Sequence, residues 1–183
     1  MSFCNLCPRN CNVDRSINIG FCKCKENAVV AKTMLHHWEE PPISGTKGSG
    51  AVFFSGCTLQ CVYCQNCEIS RGSSGKDYSS DELADLFLKL QDDGAHNINL
   101  ITPTHFTPAI RYALEKVKHK LKIPVVYNTS GYEKTDTLKT LSGYIDVYLP
   151  DFKYFDNAIA AKYSKAPDYF ENASNAIKEN STC

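Results

Sequence analysis

From Ala51 onward, short apolar runs alternate with amphipathic stretches, and this alternation limits the folds open to the chain. "AVFFSG" (51–56), "NINLIT" (97–102), "IPVVYN" (123–128) and "IDVYLP" (145–150) read as strands. The spacing between them predicts helices. Leu83, Leu86, Phe87 and Leu90 recur at i, i+3, i+4 and i+7, after a Ser79–Glu82 capping box and before Gly94. Ile110, Ala113, Leu114, Val117 and Leu121 make a second stripe, with Thr107 as N-cap and Pro108 at the first helical position. A short helix carries Leu138 and Leu141 and stops at Gly143, and a last amphipathic stretch runs from about Asp168 to Lys178. Strands alternating with helices give βαβ units and a parallel sheet. The strands read as apolar on both faces, as a sheet covered by helices requires.

In such sheets, ligands gather at the C-terminal ends of the strands. Here those ends carry Cys57, "TPTH" (102–105), "NTSGY" (128–132) and "PDFKY" (150–154). Residues 51–183 therefore read as one α/β domain, with a long loop over 57–78. Residues 1–50 read as an irregular, Cys-rich segment that ends in a glycine-rich turn, "SGTKGSG". "LHHWEEPP" (35–42) reads as a linker whose Trp38 packs onto the domain; its His36–His37 pair and its carboxylates are the alternative, a metal or proton site.

Directly after the first strand, Cys57, Cys61 and Cys64 are spaced C-x3-C-x2-C. Three thiolates hold three irons of a 4Fe–4S cube and leave the fourth iron open. Cys67 extends the run and supplies the competing reading, a closed electron-transfer cluster or a structural zinc. Spacing leaves both open.

Nine of the ten cysteines lie in the first 67 residues. The N-terminus "MSFCNLCPRN" has no apolar h-region, so the expected compartment is the cytoplasm, where thiols stay reduced. Clustered cysteines there read as metal ligands rather than disulfides. Cys4, Cys7, Cys11 and Cys22 form a candidate second metal site, with Cys24 close by, for zinc or an auxiliary iron–sulfur cluster. Cys183 reads as a free thiol. The formal net charge is zero, which removes the long-range field that draws a protein to nucleic acid or to an anionic membrane. No stretch approaches the roughly 20 apolar residues of a membrane span.

The triplet, with Tyr63 just before its third cysteine, resembles the radical S-adenosylmethionine (radical SAM) superfamily. "CNLCPRNC", "LHHWEEPPISG", "GCTLQCVYCQN", "NINLITPTH", "YNTSGY" and "YLPDFKY" resemble one branch, the proteins similar to pyruvate formate-lyase activating enzyme. These motifs run from Cys4 to Tyr154.

The resemblance implies a partial TIM-type (β/α)6 barrel that binds a 4Fe–4S cluster through Cys57, Cys61 and Cys64. SAM then chelates the open iron through its amino and carboxylate groups. An electron from a donor such as flavodoxin or ferredoxin breaks the sulfonium carbon–sulfur bond, and the 5′-deoxyadenosyl radical abstracts a hydrogen atom. A glycyl-radical enzyme is the implied partner. The resemblance also implies cofactor-binding roles. Tyr63 covers the adenine, or packs against the cluster loop. Asn128 and Thr129 end the third strand near the SAM carboxylate, and Asp151 and Lys153 match an Asp-x-Lys beside SAM. Superfamily members place Gly-Gly-Glu after the second strand to receive the SAM amino group. This chain has Thr102-Pro103-Thr104-His105 there, so the Thr102 turn would serve through its backbone, and His105 either contacts the site or orients the next helix.

The chain also departs in length. About four βα units are legible against six in the family. At roughly 30 residues per unit, some 60 residues of core are expected to be absent, which truncates the barrel and exposes an unpaired edge. Two other readings follow: a non-catalytic iron–sulfur or zinc protein closed by Cys67, and an inactive remnant.

Overall fold

The computed structural model describes residues 3–72 and 74–180; Cys183 lies outside them. In chain order the elements are β1 (Ala28–His36), α1 (Pro41–Ser44), β2 (Ser49–Phe54), α2 (Cys67–Ser70), β3 (Lys76–Tyr78), α3 (Ser80–Asp92) and β4 (Ile98–Ile101). A 3-10 turn (Thr104–Phe106), α4 (Thr107–Val117), β5 (Val125–Thr129), α5 (Thr135–Lys139), β6 (Val147–Pro150), α6 (Asn157–Ser164) and α7 (Tyr169–Asn180) follow.

They form one six-stranded sheet in the order β3-β1-β2-β4-β5-β6. The pairs β2–β4, β4–β5 and β5–β6 are parallel, whereas β1 is antiparallel to β2 and to β3. The sheet is open, as expected of a partial barrel, with β6 at one edge. No helix among the described residues is long and apolar enough to cross a membrane.

The expectation of an irregular first 50 residues is overturned by β1. This nine-residue strand sits inside the sheet, between β3 and β2. Its alternation is broken by a register shift between Val30 and Lys32, which hides the strand pattern. Ser49 and Gly50, read as turn residues, already belong to β2. The 57–78 loop contains α2 and β3.

The predicted helices form for the predicted reasons. The Ser79 side chain accepts from the Glu82 N–H and the Ser79 N–H donates to Glu82, a complete capping box at the start of α3. Leu83, Leu86, Phe87 and Leu90 of α3 are buried, as are Ile110, Ala113, Leu114 and Val117 of α4. Burying each large aliphatic side chain stabilises the fold by about 1.5–3 kcal/mol. Thr107 is the first residue of α4 rather than its cap, and its hydroxyl donates to the Thr104 carbonyl at 2.9 Å.

Pairing register sorts the sheet into two faces. Val52, Leu100 and Tyr127 lie side by side, fully buried against the helices. One residue further along, Phe53, Ile101, Asn128 and Leu149 are aligned and only partly buried. Successive strand residues point to opposite faces. The second row therefore faces a cavity, and the strands are not apolar on both sides: Asn99 and Asn128 belong to the cavity face.

Candidate functional site

The strand ends and the cysteine loop enclose a cavity of about 750 Å³. Cys57, Cys61, Cys64 and Tyr63 line it from the loop; Phe53, Ile101, Thr102 and Asn128 line it from the sheet; Asp151 and Lys153 line it at the end of β6. His36, Trp38, Glu39 and Glu40 line a further side.

The loop is held in shape from several directions. Gly56 turns the chain out of β2 with φ +80°, and a Cβ there would lie 2.2 Å from the Cys22 carbonyl oxygen. Gln60 adopts φ +55°, unusual for a residue with a side chain, and its Nε2 donates to the Phe21 carbonyl at 2.7 Å. Arg9 donates from Nε to the Thr58 carbonyl at 2.6 Å and from Nη2 to the Ser164 carbonyl at 2.9 Å. It also bonds the Lys165 carbonyl, and its guanidinium lies 3.9 Å from the centre of the Phe21 ring. The N-terminal segment thus clamps the loop to the end of α6.

Cys61 is buried in an apolar cluster with Leu59, Tyr132, Tyr154 and Tyr169, and Cys57 and Cys64 pack against the same cluster. The Ser164 hydroxyl donates to Cys61 Sγ at 2.8 Å, and the Leu59 N–H donates to Cys57 Sγ at 3.4 Å. Burial, then the nearness of Cys61 and Cys64, raises the Cys57 thiol pKa. Cys67 begins α2 and is exposed. Three soft thiols lining one large cavity suit a cluster with a free corner.

The other expected cofactor-binding residues separate. Thr102, Asn128, Asp151, Lys153 and Tyr63 line the cavity. The Tyr63 hydroxyl donates to Tyr154 at 2.6 Å, and Tyr154 contacts the Ser164 hydroxyl at 2.6 Å. Lys153 Nζ pairs with Asp151 at 2.5 Å. Thr129 and His105 lie elsewhere. Thr129 follows Asn128 in the strand, points to the opposite face and donates to Glu133. His105 sits in the 3-10 turn, 2% exposed, with Nε2 2.7 Å from the Ser55 carbonyl oxygen. Burial holds its imidazole neutral, with a pKa lowered to about 4.

Within the expected N-terminal tetrad, Cys11 Sγ and Cys22 Sγ each lie 3.5 Å from the position of a Cβ on Gly20. Cys7 and Cys22 are buried, whereas Cys4 and Cys11 are half-buried. Burial pushes the Cys7 thiol up to about 12. Cys22 and Cys24 also converge with His105: one ligand atom from each lies within 4.8 Å of the others.

Sequence reasoning missed Glu133 and gave Glu39 only a secondary role. Glu133 is 1% exposed and accepts from both the Thr104 and Thr129 hydroxyls at one oxygen, with the Tyr127 hydroxyl 3.5 Å from the other. Burial raises its pKa to about 7. Glu39 accepts from Asn99 at 2.8 Å, and burial, then Glu40, raises its pKa. The only sequence signal for Glu133 was its place just after "NTSGY" at a strand end. Trp38 does not pack as expected; it is 89% exposed at the cavity rim.

Over 176 residues the chain is 33% identical to an uncharacterized protein of Methanocaldococcus jannaschii, a match that covers 92% of this chain and 50% of that one. The chain spans about half the length of this curated relative. Residues 51–180, from the third residue of β2 to the end of α7, match the Radical SAM superfamily. With the cysteine loop seated at the open end of a partial parallel barrel, the chain belongs to the radical SAM superfamily.

Proposed function

We infer that the chain is a radical SAM enzyme whose 4Fe–4S cluster is held by Cys57, Cys61 and Cys64, of the type that activates a glycyl-radical enzyme such as pyruvate formate-lyase. One observation carries this reading: the three cysteines pack on one apolar cluster and line the cavity, while Cys67 is exposed. Held by Cys57, Cys61 and Cys64, a cluster with SAM would supply one-electron cleavage of a carbon–sulfur bond and radical hydrogen abstraction.

The chain's own groups prepare the site. The Ser164 hydroxyl stabilises negative charge on the Cys61 sulfur. Thr102 and Asn128 offer polar groups at adjacent strand ends, suited to the amino and carboxylate groups of SAM. Lys153 sets a cation at the same mouth, balanced by Asp151. Tyr63, 54% exposed and anchored through Tyr154, offers a ring face to the adenine. Phe53, Ile101 and Leu149 keep the reacting region apolar and exclude water. Thr129 and His105 act from behind the sheet. The reductant is a small electron carrier of the flavodoxin or ferredoxin class, the cysteines before β1 hold a metal, and the compartment is the cytoplasm.

Anaerobic reconstitution tests this reading. The expected result is about four irons at the triplet, 5′-deoxyadenosine formed with dithionite, and loss of both in Cys61→Ala. Cys67→Ala keeps cluster and cleavage. A cluster that disappears in Cys67→Ala and ignores added SAM would establish the closed electron-transfer centre instead.

A further inference from the structure

Beside the end of β2, Cys22, Cys24 and His105 meet in the buried interior. They come from two segments, a C-x-C step of the N-terminal region and the 3-10 turn after β4. The geometry points to a second, mononuclear metal site here, for a soft cation of the zinc class, with Cys22, Cys24 and His105 as its ligands. It goes beyond the activity proposed for the triplet.

Three observations support the site. First, the donor set of two sulfurs and one imidazole suits zinc, which takes Cys and His at tetrahedral positions. Second, His105 makes the backbone bond that metal-ligating histidines commonly make with one ring nitrogen. Its Nε2 lies 2.7 Å from the Ser55 carbonyl oxygen, so an N–H there donates to the backbone and leaves the lone pair on Nδ1. That Nδ1 is buried and has no hydrogen-bond partner. Third, the surroundings are fixed before any ion arrives. Arg15 bonds the His105 and Lys25 carbonyls and so ties the turn to the C-x-C segment. The Cys24 thiol points at the Ser55 carbonyl oxygen, 3.2 Å away. Binding of a divalent ion displaces the two thiol protons to solvent, and Ser55 keeps the His105 bond.

The site would staple the N-terminal segment to the end of β2. Ser55 and Gly56 lead directly into Cys57, and a Cβ on Gly56 would lie 2.7 Å from Cys24 Sγ. The ion would thus anchor the same segment whose Arg9 and Phe21 hold the cysteine loop. This assignment takes Cys22 as a ligand here rather than in the tetrad expected with Cys4, Cys7 and Cys11, although its Sγ also neighbours Cys11 Sγ beside Gly20.

The test uses the full chain with Cys57, Cys61 and Cys64 replaced by alanine, so that its outcome is independent of the cavity's cluster. Zinc-loaded protein is measured by X-ray absorption at the zinc edge and titrated anaerobically with cobalt(II). The expected shell is two sulfurs with one imidazole, and one cobalt binds with sulfur-to-metal charge transfer. Cys24→Ser abolishes that equivalent. His105→Gln weakens binding at least ten-fold, and Cys4→Ser/Cys7→Ser leaves it intact. A four-sulfur shell, loss of the metal in Cys4→Ser/Cys7→Ser, or the absence of stoichiometric binding would overturn the site.

Discussion

The Ser164 hydroxyl lies 2.8 Å from the Cys61 sulfur, although 103 residues separate the two in sequence. The same hydroxyl meets Tyr154, which in turn meets Tyr63 at the cavity mouth. A hydrogen-bonded line thus runs from a cavity-lining phenol to a ligand sulfur. Hydrogen bonds to cluster sulfurs favour the reduced, more negative state. Under the proposed cluster assignment, Ser164→Ala removes one such bond. The expected outcome is a midpoint potential lower by tens of millivolts, on the order of a charge-assisted hydrogen bond expressed as a one-electron potential. Potentiometric titration followed by electron paramagnetic resonance checks it; an unchanged potential means that the Ser164 bond does not tune the centre.

Glu133 makes stability depend on pH. Its folded pKa is raised from 4.5 to about 7. The folded state therefore holds a proton that the unfolded chain releases, and stability present below pH 4.5 is lost as pH rises to about 7. His105, with its pKa lowered from 6.5 to about 4, works in the opposite direction as pH falls. The difference between wild type and Glu133→Gln isolates the carboxyl. Glutamine retains an oxygen for Thr104 and Thr129, so the variant should gain up to ~3 kcal/mol relative to wild type between pH 4.5 and 7.5. Urea unfolding of the metal-free proteins across this range reads it. A pH-independent difference would show that Glu133 carries no raised pKa.

Glycine at position 56 is required twice over, by its φ of +80° and by the backbone oxygen 2.2 Å from any added Cβ. Gly143 has φ +77° but nothing within 4 Å. Gly143→Ala should cost about 1 kcal/mol, the conformational term alone. Gly56→Ala should cost several-fold more or prevent soluble expression, because β2 must separate from the Cys22–Cys24 step. Thermal denaturation of the two variants side by side makes the comparison, and equal losses would show that the close approach is absent in solution.

Arg9 carries three backbone carbonyls, two from the α6 end and one from the cysteine loop. Arg9→Lys keeps the charge but not the fork of donors. The expected loss is about 2 kcal/mol of stability, together with faster release of iron from reconstituted protein on gel filtration. Iron retention equal to wild type would remove the loop-clamping role of the N-terminal segment.

Much of the sheet was legible because its parallel strands are short, mostly apolar runs bounded by turn residues and its helices carry periodic apolar stripes. β1 escaped because the register shift at Val30–Lys32 breaks its pattern, and because its neighbours are cysteines and prolines that suggest irregular chain. The site was half legible. The triplet announces itself through spacing, and Asn128 through its place at a strand end. Thr129 could not be separated from Asn128 without knowing which face looks into the cavity. His105 follows a turn that carries it behind the sheet, a path set by tertiary packing against Ser55 and Phe106 rather than by local preference. Glu133 had only its place after "NTSGY" to mark it, since a carboxylate after a loop ordinarily signals solvent.

The alternation of the pleat has a consequence for how such a chain can diversify. Exchanges at Phe53, Ile101, Asn128 or Leu149 alter what the hollow will admit while leaving the helix-packed side of the barrel untouched. Moved a single position along the backbone, to Val52, Leu100 or Tyr127, the same exchanges would strike the fully enclosed interior. Selectivity and foldability are thus written on alternate letters of the same strands.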